Sequence, residues 1–111
     1  MKSELTAHPV ELRPEYQSNP TAQALKRIID ACNQHQGGST VALNSFLMSF
    51  YNGGEYAPDM QLLCRNTPKE VFEDVLLVMR GYTRDPMEAH GYFVNGGRLF
   101  ETIAKRVRKR E

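Results

Sequence analysis

Five short polar breaks cut this chain into segments of helical length, and they restrict its architecture more than any other feature. They are Asn19-Pro20, Gly37-Gly38-Ser39, Asn52-Gly53-Gly54, Asn66-Thr67-Pro68 and Asn95-Gly96-Gly97. Asn, Ser and Thr cap helix starts, Pro suits the first helical position, and Gly supplies the backbone freedom a helix end needs. Between the breaks, apolar residues recur every three or four positions, the period of one helix face.

The first segment is expected to start at Asn19 or Pro20 and to end at Gly37-Gly38. Leu25, Ile28, Ile29 and Cys32 form its apolar face. Ser39 or Thr40 is expected to cap the second segment, in which Leu43, Phe46, Leu47 and Phe50 repeat the spacing before Asn52-Gly53-Gly54 stops it. Residues 55–66 read as a connector with one helical turn over Asp59 to Cys64, where Leu62 and Leu63 plug the core. Thr67-Pro68-Lys69-Glu70 fits a capping box with Pro first. The helix that follows carries Phe72, Val75, Leu76 and Met79, widened by Val71 and Val78, and is expected to be the central, most buried one, ending at Gly81. Tyr82 to Val94 reads as a long connector with a single turn starting near Asp85-Pro86. Asn95-Gly96 between apolar runs is a hairpin signal, but Leu99, Phe100, Ile103, Ala104 and Val107 keep the helical period, so Asn95 or Gly96 opens a fourth helix. The expected fold is all-α: a compact bundle of four main helices with short connecting turns. Residues 1–18 are a flexible or extended N-terminal arm, free to order on a partner or across the domain surface, and 19–111 form a single helical domain.

A chain of 111 residues suffices for one modest core without staples. The net charge of +1 selects no partner by itself, but six of the 14 Lys and Arg residues fall after Leu99 or beside it, from Arg98 to Arg110. The two cysteines, Cys32 and Cys64, have no metal-site or redox spacing and read as reduced, partly buried thiols. No secretory h-region opens the chain, and no apolar run approaches the ~20 residues that span a bilayer. The expectation is a cytoplasmic protein with no membrane partner.

The stretch from Ala24 to Val107 resembles a family of short uncharacterised proteobacterial proteins. The likeness rests on Gly37-Gly38-Ser39-Thr40 before Val41-Ala42-Leu43-Asn44-Ser45-Phe46-Leu47, on Phe50-Tyr51 followed by Asn52-Gly53-Gly54, on Glu73-Asp74-Val75-Leu76-Leu77-Val78, and on Gly91-Tyr92 before the last helix. Members often occur on phages, plasmids and integrating elements, so the resemblance implies an accessory protein of mobile-element type. It assigns no functional residue.

Catalytic chemistry finds little footing. Cys32 and His35 share a helix face, but His8, His90 and Cys64 complete no four-ligand zinc pattern. No Gly-x-Ser-x-Gly elbow occurs, and His90 reads as a solvated loop residue without a nucleophile. Glu70, Glu73 and Asp74 sit where a helix N-terminus favours acids. Gly96-Gly97-Arg98 is a weak anion-binding signal beside a packing explanation. Thr40, Asn44, Ser45 and Ser49, taken as exposed on the second helix, carry no base for DNA reading. The expectation is therefore a noncatalytic protein, without cofactor or metal, that binds a protein partner or itself. Its proposed patch is Phe50, Tyr51, Tyr56, Tyr92 and Phe93, aromatic hot-spot residues that would otherwise fill the core. The alternative is a nucleic-acid-binding accessory factor using Lys105, Arg106, Arg108, Lys109 and Arg110 on a basic C-terminal helix.

Overall fold

The computed structural model describes residues 10–34, 38–85 and 87–107, with only the backbone at 38 and 39. Five helices occur among them: α1 (Pro20–Gln34), α2 (Gly38–Tyr51), α3 (Met60–Asn66), α4 (Lys69–Arg84) and α5 (Gly96–Ala104). Two 3-10 turns, Pro14–Tyr16 and Ala89–Tyr92, complete the secondary structure. The all-α expectation holds, with four longer helices and the short α3 where a single turn was expected.

α1 starts as its sequence indicates. The Asn19 Oδ1 accepts from the Ala22 N–H at 3.0 Å, and Pro20 is the first helical residue. Its face of Leu25, Ile28, Ile29 and Cys32 is buried, and Ala22 and Ala24 are fully covered. Its expected stop at Gly37 lies outside the described residues. α2 begins at Gly38, so Ser39 and Thr40 stand inside the first turn rather than before it.

The centre of the fold is α2, not α4. α2 touches α1, α3, α5 and the Ala89–Tyr92 turn, whereas α4 packs mainly on α1. Leu43, Phe46, Leu47 and Met48 are all buried, and so are Thr40 and Asn44, which the sequence suggested were exposed. Asn44 Nδ2 satisfies itself on the Thr40 carbonyl at 2.8 Å. In α4 the buried line runs through Val75 and Val78, with Val71 and Tyr82 half-buried a turn to either side, while Leu76 and Met79 face outward. The apolar stripe is thus wider than the buried one, and its breadth does not signal burial on all sides.

The capping box at Thr67 does not form. Pro68 occupies the cap itself, its carbonyl accepting from Phe72 N–H at 2.8 Å, so Thr67 lies one residue too far back and its buried Oγ1 finds no partner among the described residues. Gly81 does not end α4, which runs on to Arg84. It is there for space: a Cβ on Gly81 would overlap Thr21 Oγ1. A glycine inside a helix costs about 1 kcal/mol against alanine, and here it lets α1 and α4 touch at that crossing. The turn expected near Asp85-Pro86 falls instead at Ala89–Tyr92; Pro86 lies outside the described residues.

Residues 10–13 run as irregular chain into the Pro14–Tyr16 turn, and the segment lies across the domain. Leu12 is part of the core and forms an antiparallel bridge with Phe93. Arg13 N–H donates to the Tyr92 carbonyl at 2.9 Å and Val94 N–H to the Glu11 carbonyl at 2.8 Å. The rings of Tyr16 and Tyr92 meet edge to face at 5.0 Å. The inner half of the expected flexible arm is therefore fixed by backbone pairing and burial; residues 1–9 lie outside the described part.

The cysteines part company. Cys32 is buried, and desolvation pushes its thiol up to about 12. Cys64 is exposed, which corrects the expectation of partial burial for both. Because only the thiolate alkylates, iodoacetamide at pH 8 should modify Cys64 quickly and leave Cys32 untouched until denaturant is added. Mass mapping of the two peptides checks this, and equal native-state labelling would contradict the packing of α1.

Candidate functional site

The expected aromatic patch divides between core and surface. Tyr92 and Phe93 are 1% and 0% exposed and pack in the core, whereas Tyr56 is buried but lines the cleft beside Tyr51. Phe50 is half-buried, flanked by Phe46 and Tyr82 with ring centroids at 5.0 and 4.6 Å. Tyr51 alone of the set both reaches the surface and borders a cleft.

That cleft, about 460 Å³, lies between the end of α2 and the C-terminal half of α5. Tyr51 is the last residue of α2, held by the Asn52 N–H bonding back to the Met48 carbonyl at 2.8 Å. The Asn52 carbonyl then accepts from both Glu55 and Tyr56 N–H at 3.1 Å, which wraps the Asn-Gly-Gly loop and returns the Tyr56 ring to the core. Glu101 and Lys105, four apart, line the opposite wall. The Tyr51 hydroxyl donates to Glu101 Oε2 at 2.8 Å across the gap. This bond first, and burial second, hold the phenol above its usual ionisation range, so it stays protonated and keeps donating into alkaline solution.

The Tyr51 ring is braced from behind. It stacks on Phe100 at 5.4 Å with planes 22° apart, and Phe100 leans on Phe93 at 6.2 Å. The Tyr51 and His90 rings meet in a T-shaped contact at 5.1 Å. His90 is thus not a solvated loop histidine: it sits in the Ala89–Tyr92 turn, half-buried, with Nε2 3.4 Å from Glu88 Oε2 and with a buried Nδ1 that has no partner among the described residues.

Among the described residues no three His, Cys, Asp or Glu side chains gather as a metal site. The anion reading of Gly96-Gly97 loses its first donor, because the Gly96 N–H bonds to the Phe93 carbonyl at 3.2 Å. Of the candidate basic residues, Lys105 and Arg106 form a turn beyond α5, which ends at Ala104, and Val107 follows them. Arg108, Lys109 and Arg110 lie outside the described residues. No helix among the described residues is long and apolar enough to cross a membrane.

Residues 22–108 match the profile of the DUF7673 family of unknown function. The chain belongs to this family. The DUF7673 match takes in every residue named around the Tyr51 cleft, and it begins after the arm that carries Leu12. No curated protein and no solved structure matches the chain.

Glu101, Lys105 and His90 escaped sequence reasoning as parts of one site. Tyr51 and Glu101 are 50 residues apart, and no local pattern links a helix end to a helix face that distant. The available signal was the Glu101–Lys105 spacing on a terminal amphipathic helix, which reads equally well as a solvated pair.

Proposed function

We propose that this DUF7673 protein is a noncatalytic interaction protein that docks a protein partner in the Tyr51 cleft. The observation behind this reading is the state of Tyr51: a half-exposed aromatic, locked by stacking and by the Glu101 bond, on the wall of an open groove. A ring already fixed in its bound orientation loses little freedom on docking. Tyr is also among the residues that dominate interface energetics. Glu55, Glu101 and Lys105 supply a polar rim. An accessory role on a mobile element is proposed on the sequence resemblance alone. The basic tail carries nucleic-acid binding less far, since Lys105 lines the same cleft and Arg106 is half-buried.

The test is capture from host lysate with tagged full chain, with and without nuclease, followed by quantitative mass spectrometry. A nuclease-resistant protein should be recovered by the wild type and by Met60→Ala, an exposed apolar site outside the cleft. Tyr51→Ala should reduce its recovery, with affinity falling about 30-fold for a hot-spot loss of ~2 kcal/mol. Sedimentation across a concentration range decides whether the partner is a second copy. Full retention by Tyr51→Ala, or a capture abolished by nuclease, would refute the reading.

A further inference from the structure

α4 leaves one face with nothing against it. The helix packs mainly on α1, with Val75 and Val78 buried. Its opposite side carries Leu76 and Met79 at 37% and 41% exposure, with Phe72 half-buried beside them. Positions 72, 76 and 79 are spaced as one line along a helix. The other large apolar residues exposed among the described residues, Val41 and Met60, stand singly on α2 and α3. Scattered apolar residues are ordinary on a surface; a contiguous line of them marks a contact face.

The charges around that line are sorted by position. Glu70 and Glu73 follow the start of the helix, Arg80 and Arg84 precede its end, and all four are exposed. None is in an ion pair among the described residues, whose pairs are Lys26–Asp30, Arg27–Asp74 and His90–Glu88. The sorting sets like charges one turn apart, at Glu70 and Asp74 and again at Arg80 and Arg84, which is unfavourable within a single helix. The two ends invert the pattern: exposed Lys69 opens the helix and exposed Asp85 caps it. With Asp74 held by Arg27, the order from the start is Lys, Glu, Glu, and the order from the end is Asp, Arg, Arg. The outer face is thus the electrostatic complement of its own reversed copy.

From this complementarity we infer that the outward face of α4 binds the same face of a second copy of this chain, the two helices antiparallel about a symmetry axis beside Leu76. On that axis Phe72, Leu76 and Met79 of each copy cover one another. Glu73 comes opposite Arg80 of the second copy, Glu70 opposite its Arg84 and Lys69 opposite its Asp85, and symmetry makes each pairing twice. Opposed helix dipoles favour the same orientation, whereas a parallel pair would set each charge against its like. A 16-residue helix is ~24 Å long, so one helix face makes a contact at the small, transient end of protein interfaces. The dimer is therefore weak and sensitive to concentration and salt. None of the residues lining the Tyr51 cleft lies on α4, so the two surfaces are separate.

The experiment is sedimentation equilibrium of the full chain over a wide range of concentration, at low and at high salt. The wild type is expected to pass from monomer to dimer as concentration rises, and less readily in high salt. Leu76→Lys should weaken association about tenfold. Glu73→Arg and Arg80→Glu should each weaken it about as much when alone, because each sets like charges across the axis twice. Mixed in equal amounts, these two charge variants should associate as well as the wild type, since every pairing across the axis is again between opposite charges. Mixing cannot repair a misfolded chain, and each variant should keep its helicity by circular dichroism. Tyr51→Ala should dimerise like the wild type; loss of association there would move the contact to the Tyr51 cleft and overturn the inference. A chain that stays monomeric at every concentration, a dimer indifferent to Leu76→Lys, or a mixture no better than its components would overturn it too.

Discussion

Gly96→Ala is expected to cost the fold about 3 kcal/mol and to lower Tm by ~10–15 °C, whereas Gly97→Ala should be neutral or stabilising by up to ~1 kcal/mol. The two glycines are adjacent and both stand in the first turn of α5. A Cβ at Gly96 would overlap the His90 carbonyl oxygen and crowd its carbonyl carbon and Cα, all of them backbone. No side-chain rotation relieves such a contact, so the Ala89–Tyr92 turn or the start of α5 has to move. At Gly97 nothing lies within 4 Å of the added carbon, and alanine gains helix propensity. Thermal melts of the two single variants check the contrast. Equal losses would mean that backbone freedom, and not the approach to His90, is what the glycines supply.

Tyr92→Ala should cost about 3–5 kcal/mol, a large share of the stability of a small domain. The ring is almost wholly buried, it carries the edge contact to Tyr16, and its removal opens a cavity under the N-terminal segment. Tyr51→Ala removes a half-exposed ring and should cost about 1 kcal/mol. Urea unfolding of both variants separates a core aromatic from a surface one. If Tyr92→Ala were as mild as Tyr51→Ala, the burial of the Ala89–Tyr92 turn would be wrong, and Tyr92 would return to the list of contact residues.

Helix existence was legible because caps and apolar periodicity are local. Asn19-Pro20 starts α1, Asn52 follows the end of α2, Asp59 caps α3 through the Leu62 N–H, and Asn95 adopts the left-handed conformation before α5. What failed was everything that needs a partner. Gly81 has the same letter whether it ends a helix or lets another helix cross, and only Thr21 distinguishes the two. The apolar run Tyr92-Phe93-Val94 carried a strand signal that was real in part, but its pairing segment was Glu11-Leu12-Arg13 and not a hairpin mate. The aromatic set divided for the same reason, since hydrophobic spacing cannot say that Tyr92 and Phe93 are covered by Tyr16 and Leu12 from the other end of the chain. Tyr51 stayed at the surface because it ends α2, where the loop turns away.

The bridge between Leu12 and Phe93 has a consequence for how the molecule comes into being. A segment made early is seated on one made much later: Arg13 Nε–H donates to the Phe93 carbonyl across 80 residues. At about 5–20 residues per second of synthesis, Leu12 waits on the order of 4–16 s before Phe93 exists. During that interval α1 to α4 can pair among themselves, but the floor for Leu12 and Tyr16 is missing. The segment around Leu12 therefore settles late, a latch that closes only after Tyr92 and Phe93 have been made.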